Sequence, residues 1–113
     1  MKILLAEDDK KLLRHLAAGL REAGHTVDCA QDGVEARWAA ENGSHDVLVF
    51  DIMMPQLDGV TLLRGLRRRG LTVPAIFITA RGEVRDRARR STRPIRQINE
   101  QLSRLDVKTL SQA

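Results

Sequence analysis

The chain has 113 residues, 19 of them Lys or Arg and 15 Asp or Glu, for a formal net charge of +4. That length suits one compact domain, a 42% hydrophobic content excludes a disordered chain, and the single Cys29 excludes a disulfide framework. No apolar run approaches the roughly 20 residues that span a bilayer, and Glu7-Asp8-Asp9 comes too early for a signal peptide. The expectation is a soluble, cytoplasmic protein.

The elements alternate over the first 80 residues. Lys2–Ala6 is an apolar run of strand length. Lys10–Ala23 places Leu12, Leu13, Leu16, Ala17 and Leu20 at helical spacing, and Gly24 stops it. Thr26–Ala30 is a second strand, with Cys29 expected to be a buried apolar residue. Gly33–Asn42 is a helix whose apolar side is expected to be Val34, Trp38 and Ala39, with Trp38 packed at a helix edge. Asp46–Phe50 is a third strand, rich in β-branched residues. Gly59–Arg69 is a helix with Val60, Leu63 and Leu66 expected inward. Pro74–Thr79 is a fourth strand.

This rhythm predicts right-handed βαβ units and a parallel sheet. Continuous apolar runs at Val47–Phe50 and Ala75–Ile78 fit strands buried on both faces. After Thr79 the rhythm breaks. Gly82–Ser91 reads as a short arginine-rich helix. Pro94 suits a first helical position, and Ile95, Ile98, Leu102 and Leu105 then recur at steps of 3, 4 and 3. No fifth strand is visible.

A sequence pI near 10.0 invites a nucleic-acid partner. However, residues 1–80 hold 10 basic and 11 acidic side chains, whereas residues 81–113 hold 9 and 4. The basic character belongs to the last third, which has no recognition-helix motif and no interleaved aromatics. Nucleic acid is therefore not the expected partner. His15, His25 and His45 lack metal-ligand spacing and are expected at the surface or in structural roles.

Ligands of parallel sheets bind at the carboxyl ends of the strands. Glu7, Asp8 and Asp9 follow strand one, Asp51 follows strand three and Thr79 ends strand four. If strands one and three are neighbours, Glu7, Asp8 and Asp51 converge. Clustered carboxylates repel, and an oxygen-only donor set suits Mg²⁺, which offsets the repulsion. Taken singly, an acidic residue after a strand is more often a solvated loop residue, and Asp8 or Asp9 could cap the following helix.

Three segments together resemble the bacterial response-regulator receiver domain, of the type preceding winged-helix DNA-binding domains. They are Ile3-Leu4-Leu5-Ala6-Glu7-Asp8-Asp9, Val49 to Gly59 (with Asp51-Ile52-Met53-Met54-Pro55) and Pro74 to Gly82 (with Ile78-Thr79-Ala80). The resemblance covers about residues 1–90. It implies an α/β doubly wound parallel sheet of flavodoxin-like receiver fold, in strand order 2-1-3-4. The fifth strand would be missing and a C-terminal helix would stand in its place. The domain boundaries are expected at 1–90 for the receiver-like body and 91–113 for a divergent helical segment.

The resemblance also assigns roles. Asp51 matches the phosphoacceptor, charged by a sensor histidine kinase. Asp8 matches a direct Mg²⁺ ligand, Glu7 the acidic neighbour that helps hold the ion, and Met53 the residue lending its backbone carbonyl. Thr79 matches the switch hydroxyl, and Pro55 and Gly59 shape the loop after Asp51. The family's aromatic switch residue and phosphate-pairing lysine should fall near residues 98 and 101, where this chain has Ile98 and Gln101. A phosphorylated Asp51 would then lack one fixed cation and should be weaker or shorter-lived. The expected function is phosphorelay signalling and not enzymatic turnover. The alternative is a non-switching interaction module, dimeric through the strand-four edge or the C-terminal helix.

Overall fold

The computed structural model describes residues 1–54, 57–78 and 96–104. In chain order the elements are β1 (Lys2–Ala6), α1 (Lys10–Glu22), β2 (Thr26–Ala30), α2 (Gly33–Asn42), β3 (Val47–Asp51), α3 (Gly59–Arg68) and β4 (Ala75–Ile78). Residues 96–104 are helical. The strands form one parallel sheet in the order β2-β1-β3-β4. Among the described residues, no strand pairs with β4 on its outer side.

Every helix of the first 80 residues opens on an aspartate. Asp9 Oδ1 accepts the Lys11 and Leu12 N–H groups at 3.0 and 3.1 Å, Asp32 Oδ1 accepts Glu35 N–H at 2.8 Å, and Asp58 Oδ1 accepts Thr61 N–H at 2.9 Å. Each bond satisfies a backbone donor that has no partner within its own helix. Two helices stop at a glycine in the left-handed region, Gly24 (φ 97°) after α1 and Gly70 (φ 90°) after α3. Such a φ strains any residue with a Cβ.

Strand alternation divides the core into two layers. Ile3, Leu5, Val47, Val49 and Ile76 point to the α1 side, and Leu4, Ala6, Leu48 and Phe50 to the α2 and α3 side. All five expected apolar residues of α1 are buried, each leucine stabilising the fold by about 1.5–3 kcal/mol and Ala17 by less. Ile98 and Leu102, at 0% and 1% exposure, complete the α1 layer beside Ile76 of β4. The expected C-terminal helix thus packs on its own sheet. Ile95, Leu105 and the expected helix at 82–91 lie outside the described residues.

Three expectations about packing need correction. In α2 the buried residues are Gly33, Ala36 and Ala40, while Val34 and Trp38 are 65% and 68% exposed. This helix lies close to the sheet, and small side chains fill the narrow space. In α3 the buried pair is Leu62 and Leu66, with Val60 exposed and Leu63 only partly buried. Cys29 is exposed because β2 is an edge strand that buries only Val27 and Ala30. His45 is buried, and its Nε2 lies 2.8 Å from Asp28 Oδ2.

Candidate functional site

Register brings the acidic residues together. Ala6 at the end of β1 pairs with Phe50 of β3, so the next residues, Glu7 and Asp51, emerge side by side. Asp8 follows Glu7 in the turn before α1. One carboxylate oxygen from each of Glu7, Asp8 and Asp51 lies within 4.8 Å of the others. Glu7 and Asp51 are fully buried and Asp8 is half-buried. Asp9 stands apart as the cap of α1, and its N–H donates to Glu7 Oε2 at 3.2 Å.

Asp51 is held from two directions. Met53 N–H donates to Asp51 Oδ1 at 3.1 Å, fixing the carboxylate, while Oδ2 is buried and accepts no hydrogen bond from the described residues. The Gly59 N–H donates to Ile52 O at 3.0 Å, drawing the start of α3 against the end of β3. A Cβ on Gly59 would lie 2.5 Å from the Asp51 carbonyl oxygen and 3.3 Å from Phe50 Cβ. The missing side chain is what permits this approach. Gly59→Ala is therefore expected to cost about 1–3 kcal/mol by overpacking, outweighing alanine's better helix propensity. Urea denaturation measures it; an unchanged midpoint would show that the helix start moves freely.

The electrostatics follow from the crowding. Burial, a hydrogen bond to Asp8 and the nearby Asp51 charge together push the Glu7 carboxyl up to about 9 from its ordinary 4.5. In a metal-free site the crowding thus favours the protonated form of Glu7 well above the usual carboxylate range. Asp58 is a different case. It is exposed, and the Thr61 N–H and hydroxyl it accepts hold its carboxyl below the usual range. It serves as a cap.

The donor set fits a hard divalent cation. It is all oxygen, it carries up to three negative charges, and one buried Asp51 oxygen lacks a donor. The structure brings together Glu7, Asp8 and Asp51 and places Met53 beside them through its N–H. Thr79 and Pro55 lie outside the described residues. The chain does leave β4 at this edge, since Ile78 pairs with Asp51 and Ile78 O accepts Ile52 N–H at 2.9 Å. Ile98 is in the core and Gln101 is exposed on the 96–104 helix. Sequence reasoning missed the protonation of Glu7 and the His45–Asp28 pair, because neither carries a local sequence signal.

Comparison with known proteins gives a consistent result. The family described as response regulator receiver domain matches residues 3–98. The chain is 47% identical over 87 residues to the response regulator protein PmrA of Pseudomonas aeruginosa, covering 77% of this chain and 39% of that protein. It is 42% identical over 87 residues to the transcriptional regulatory protein TcrA of Mycobacterium tuberculosis, covering 77% of this chain and 34% of that one. It therefore spans well under half the length of these relatives. Among solved structures, the receiver domain of the Francisella response regulator 1452 superposes with a TM-score of 0.68 at 35% identity, covering 78% of this chain and 73% of that chain. No described helix is long and apolar enough to cross a membrane.

Proposed function

The chain belongs to the response regulator receiver domain family, and on that basis we propose that Asp51 accepts a phosphoryl group from a sensor histidine kinase in the cytoplasm. The observation that carries this reading is the convergence of Glu7, Asp8 and Asp51 within 4.8 Å around a buried Asp51 oxygen that accepts no hydrogen bond from the described residues.

In this reading Asp51 Oδ2 is the nucleophile. The Met53 N–H holds the other oxygen, so the carboxylate presents one free lone-pair face. Close packing of Gly59 against the Asp51 carbonyl fixes the backbone beneath it. Glu7, Asp8, Asp51 and the Met53 carbonyl would hold Mg²⁺. When bound, the ion neutralises charge on the transferring phosphoryl oxygens. With a cation in place the ionised form of Glu7 would be favoured, and its carboxylate would help hold the ion. Thr79 would supply the switch hydroxyl.

Neither Ile98 nor Gln101 offers the aromatic or the lysine of the family pattern, so the acyl phosphate is expected to be short-lived. Residues 1–90 would form the receiver body and 91–113 the divergent segment, with Ile98 and Leu102 of that segment packed into the body's core. The role is signalling, with no substrate turned over.

Incubation with Mg²⁺ and a small-molecule phosphodonor, followed by intact-mass measurement, tests this. One phosphoryl adduct is expected on the native chain and none on Asp51→Asn. An adduct that survives that substitution would remove Asp51 from the role. Absence of any adduct would leave the non-switching interaction module.

A further inference from the structure

Away from the carboxylates, α2 and α3 face each other across a groove of about 400 Å³. Four arginines line it, Arg37 from α2 and Arg64, Arg68 and Arg69 at α3. The acidic residue beside them is Glu41, which pairs with Arg37 at 3.1 Å and Arg69 at 2.9 Å. Arg64 and Arg68 are exposed and make no ion pair with a described residue. They sit at i and i+4 on one face of a helix, a spacing at which like charges destabilise. Between the arginines the half-buried Leu57 gives the groove an apolar patch, while Leu62, also in the lining, is itself buried in the core.

Gly65 supplies a second, independent observation. It lies mid-helix in the groove wall, where glycine costs about 1 kcal/mol relative to alanine. A Cβ there would meet nothing within 4 Å, and its φ is not in the left-handed region. Nothing inside the described molecule requires this glycine. Its effect is to leave the groove open and the helix backbone approachable.

We propose that this groove docks an acidic amphipathic peptide segment of a partner protein. Its carboxylates are taken by Arg64 and Arg68, whose planar guanidiniums match carboxylates bidentately. Its apolar side covers Leu57. A nucleic-acid strand offers a phosphate backbone but no apolar side chain of this kind, and would leave Leu57 uncovered. Docking here does not depend on Asp51, whose carboxylate belongs to the strand-end cluster and not to the groove.

The test uses the full chain carrying Asp51→Asn, so that phosphorylation plays no part. Trp38, the chain's one tryptophan, is exposed on α2 next to Arg37 and reports binding by fluorescence. The probe is a synthetic peptide of about ten residues, the length of α3, with Glu and Leu at helical spacing. Its Gln-for-Glu counterpart and a short DNA duplex are the comparison ligands. The Glu peptide is expected to saturate. The Gln peptide and the Arg64→Glu/Arg68→Glu variant are each expected to bind at least about tenfold more weakly. Gly65→Leu should also weaken the Glu peptide while circular dichroism stays unchanged. No saturable binding of the Glu peptide, equal binding by the Gln peptide or by the charge-reversed variant, or tighter binding of the duplex would each overturn the proposal.

Discussion

Glu7→Gln is expected to stabilise the metal-free protein at pH 8 and to leave it almost unchanged at pH 4. The sign follows from the direction of the shift. The Glu7 carboxyl ionises near 4.5 in the unfolded chain and is pushed up to about 9 in the folded one. Below 4.5 both states hold the proton and Glu7 imposes no penalty. As pH rises from 4.5 through about 9, the unfolded chain releases the proton while the folded chain retains it. Stability present at low pH is therefore lost across that window. The loss by pH 8 is on the order of 2 kcal/mol, well below the full amount, because Glu7 is coupled to its neighbouring carboxylates.

Glutamine occupies the same volume without a charge, so the variant escapes this loss. Mg²⁺ should act in the same direction on the native chain, because the cation replaces the proton. Its stabilising effect should be larger at pH 8 than at pH 5, and smaller in Glu7→Gln. Urea denaturation of both proteins at pH 5 and pH 8, with and without Mg²⁺, measures these differences. A native chain that gains stability relative to Glu7→Gln as pH rises would contradict the placement of Glu7 in the cluster.

Leu102→Ala is expected to cost about 2–5 kcal/mol, and Ile98→Asp at least about 3 kcal/mol. Both residues are closed off from solvent at the α1 layer of the core. Truncating Leu102 leaves a cavity beneath the 96–104 helix, and an aspartate at 98 would bury a charge with no partner. Losses of this size are a large fraction of the roughly 5–15 kcal/mol that holds a domain folded. Changes below about 0.5 kcal/mol, as at an exposed site, would mean that the helix does not pack where the structure places it. Chemical denaturation distinguishes the two.

The fold was legible where one physical rule dominated. The stripe of α1 was readable because large aliphatic residues recur at helical spacing, and all five are buried. β3 was readable because a strand covered on both faces has no polar alternation, and its five residues are all buried. The α2 face was not readable. Hydrophobic size pointed to Val34 and Trp38, but close approach to the sheet selects Ala36 and Ala40. A similar misreading gave Val60 and Leu63 for Leu62 in α3, since neighbouring apolar residues lie only about 100° apart around a helix. Cys29 was misjudged because nothing in Thr26–Ala30 marks it as an edge strand.

The acidic cluster was legible for a different reason. Its residues sit at the ends of strands, so its geometry required only that β1 and β3 be neighbours. The energetic state of Glu7 was not legible, because it depends on three-dimensional crowding by Asp8 and Asp51. The α2–α3 groove was hidden too. Arg67, Arg68 and Arg69 sit at the C-terminal end of α3, and nothing in the sequence marks that Arg68 and Arg69 also line the groove while Arg67 donates to Leu71 O at 2.9 Å.

Glu7, Asp8 and Asp51 are proposed to work together, with a divalent cation, as one phosphoacceptor site. Peptide mapping of the chain after exposure to a small phosphodonor, with Mg²⁺ and with a chelator, tests it most directly. The label should appear only with Mg²⁺ and only on the peptide containing Asp51. A label that forms equally in the chelator, or on a peptide without Asp51, would contradict the account.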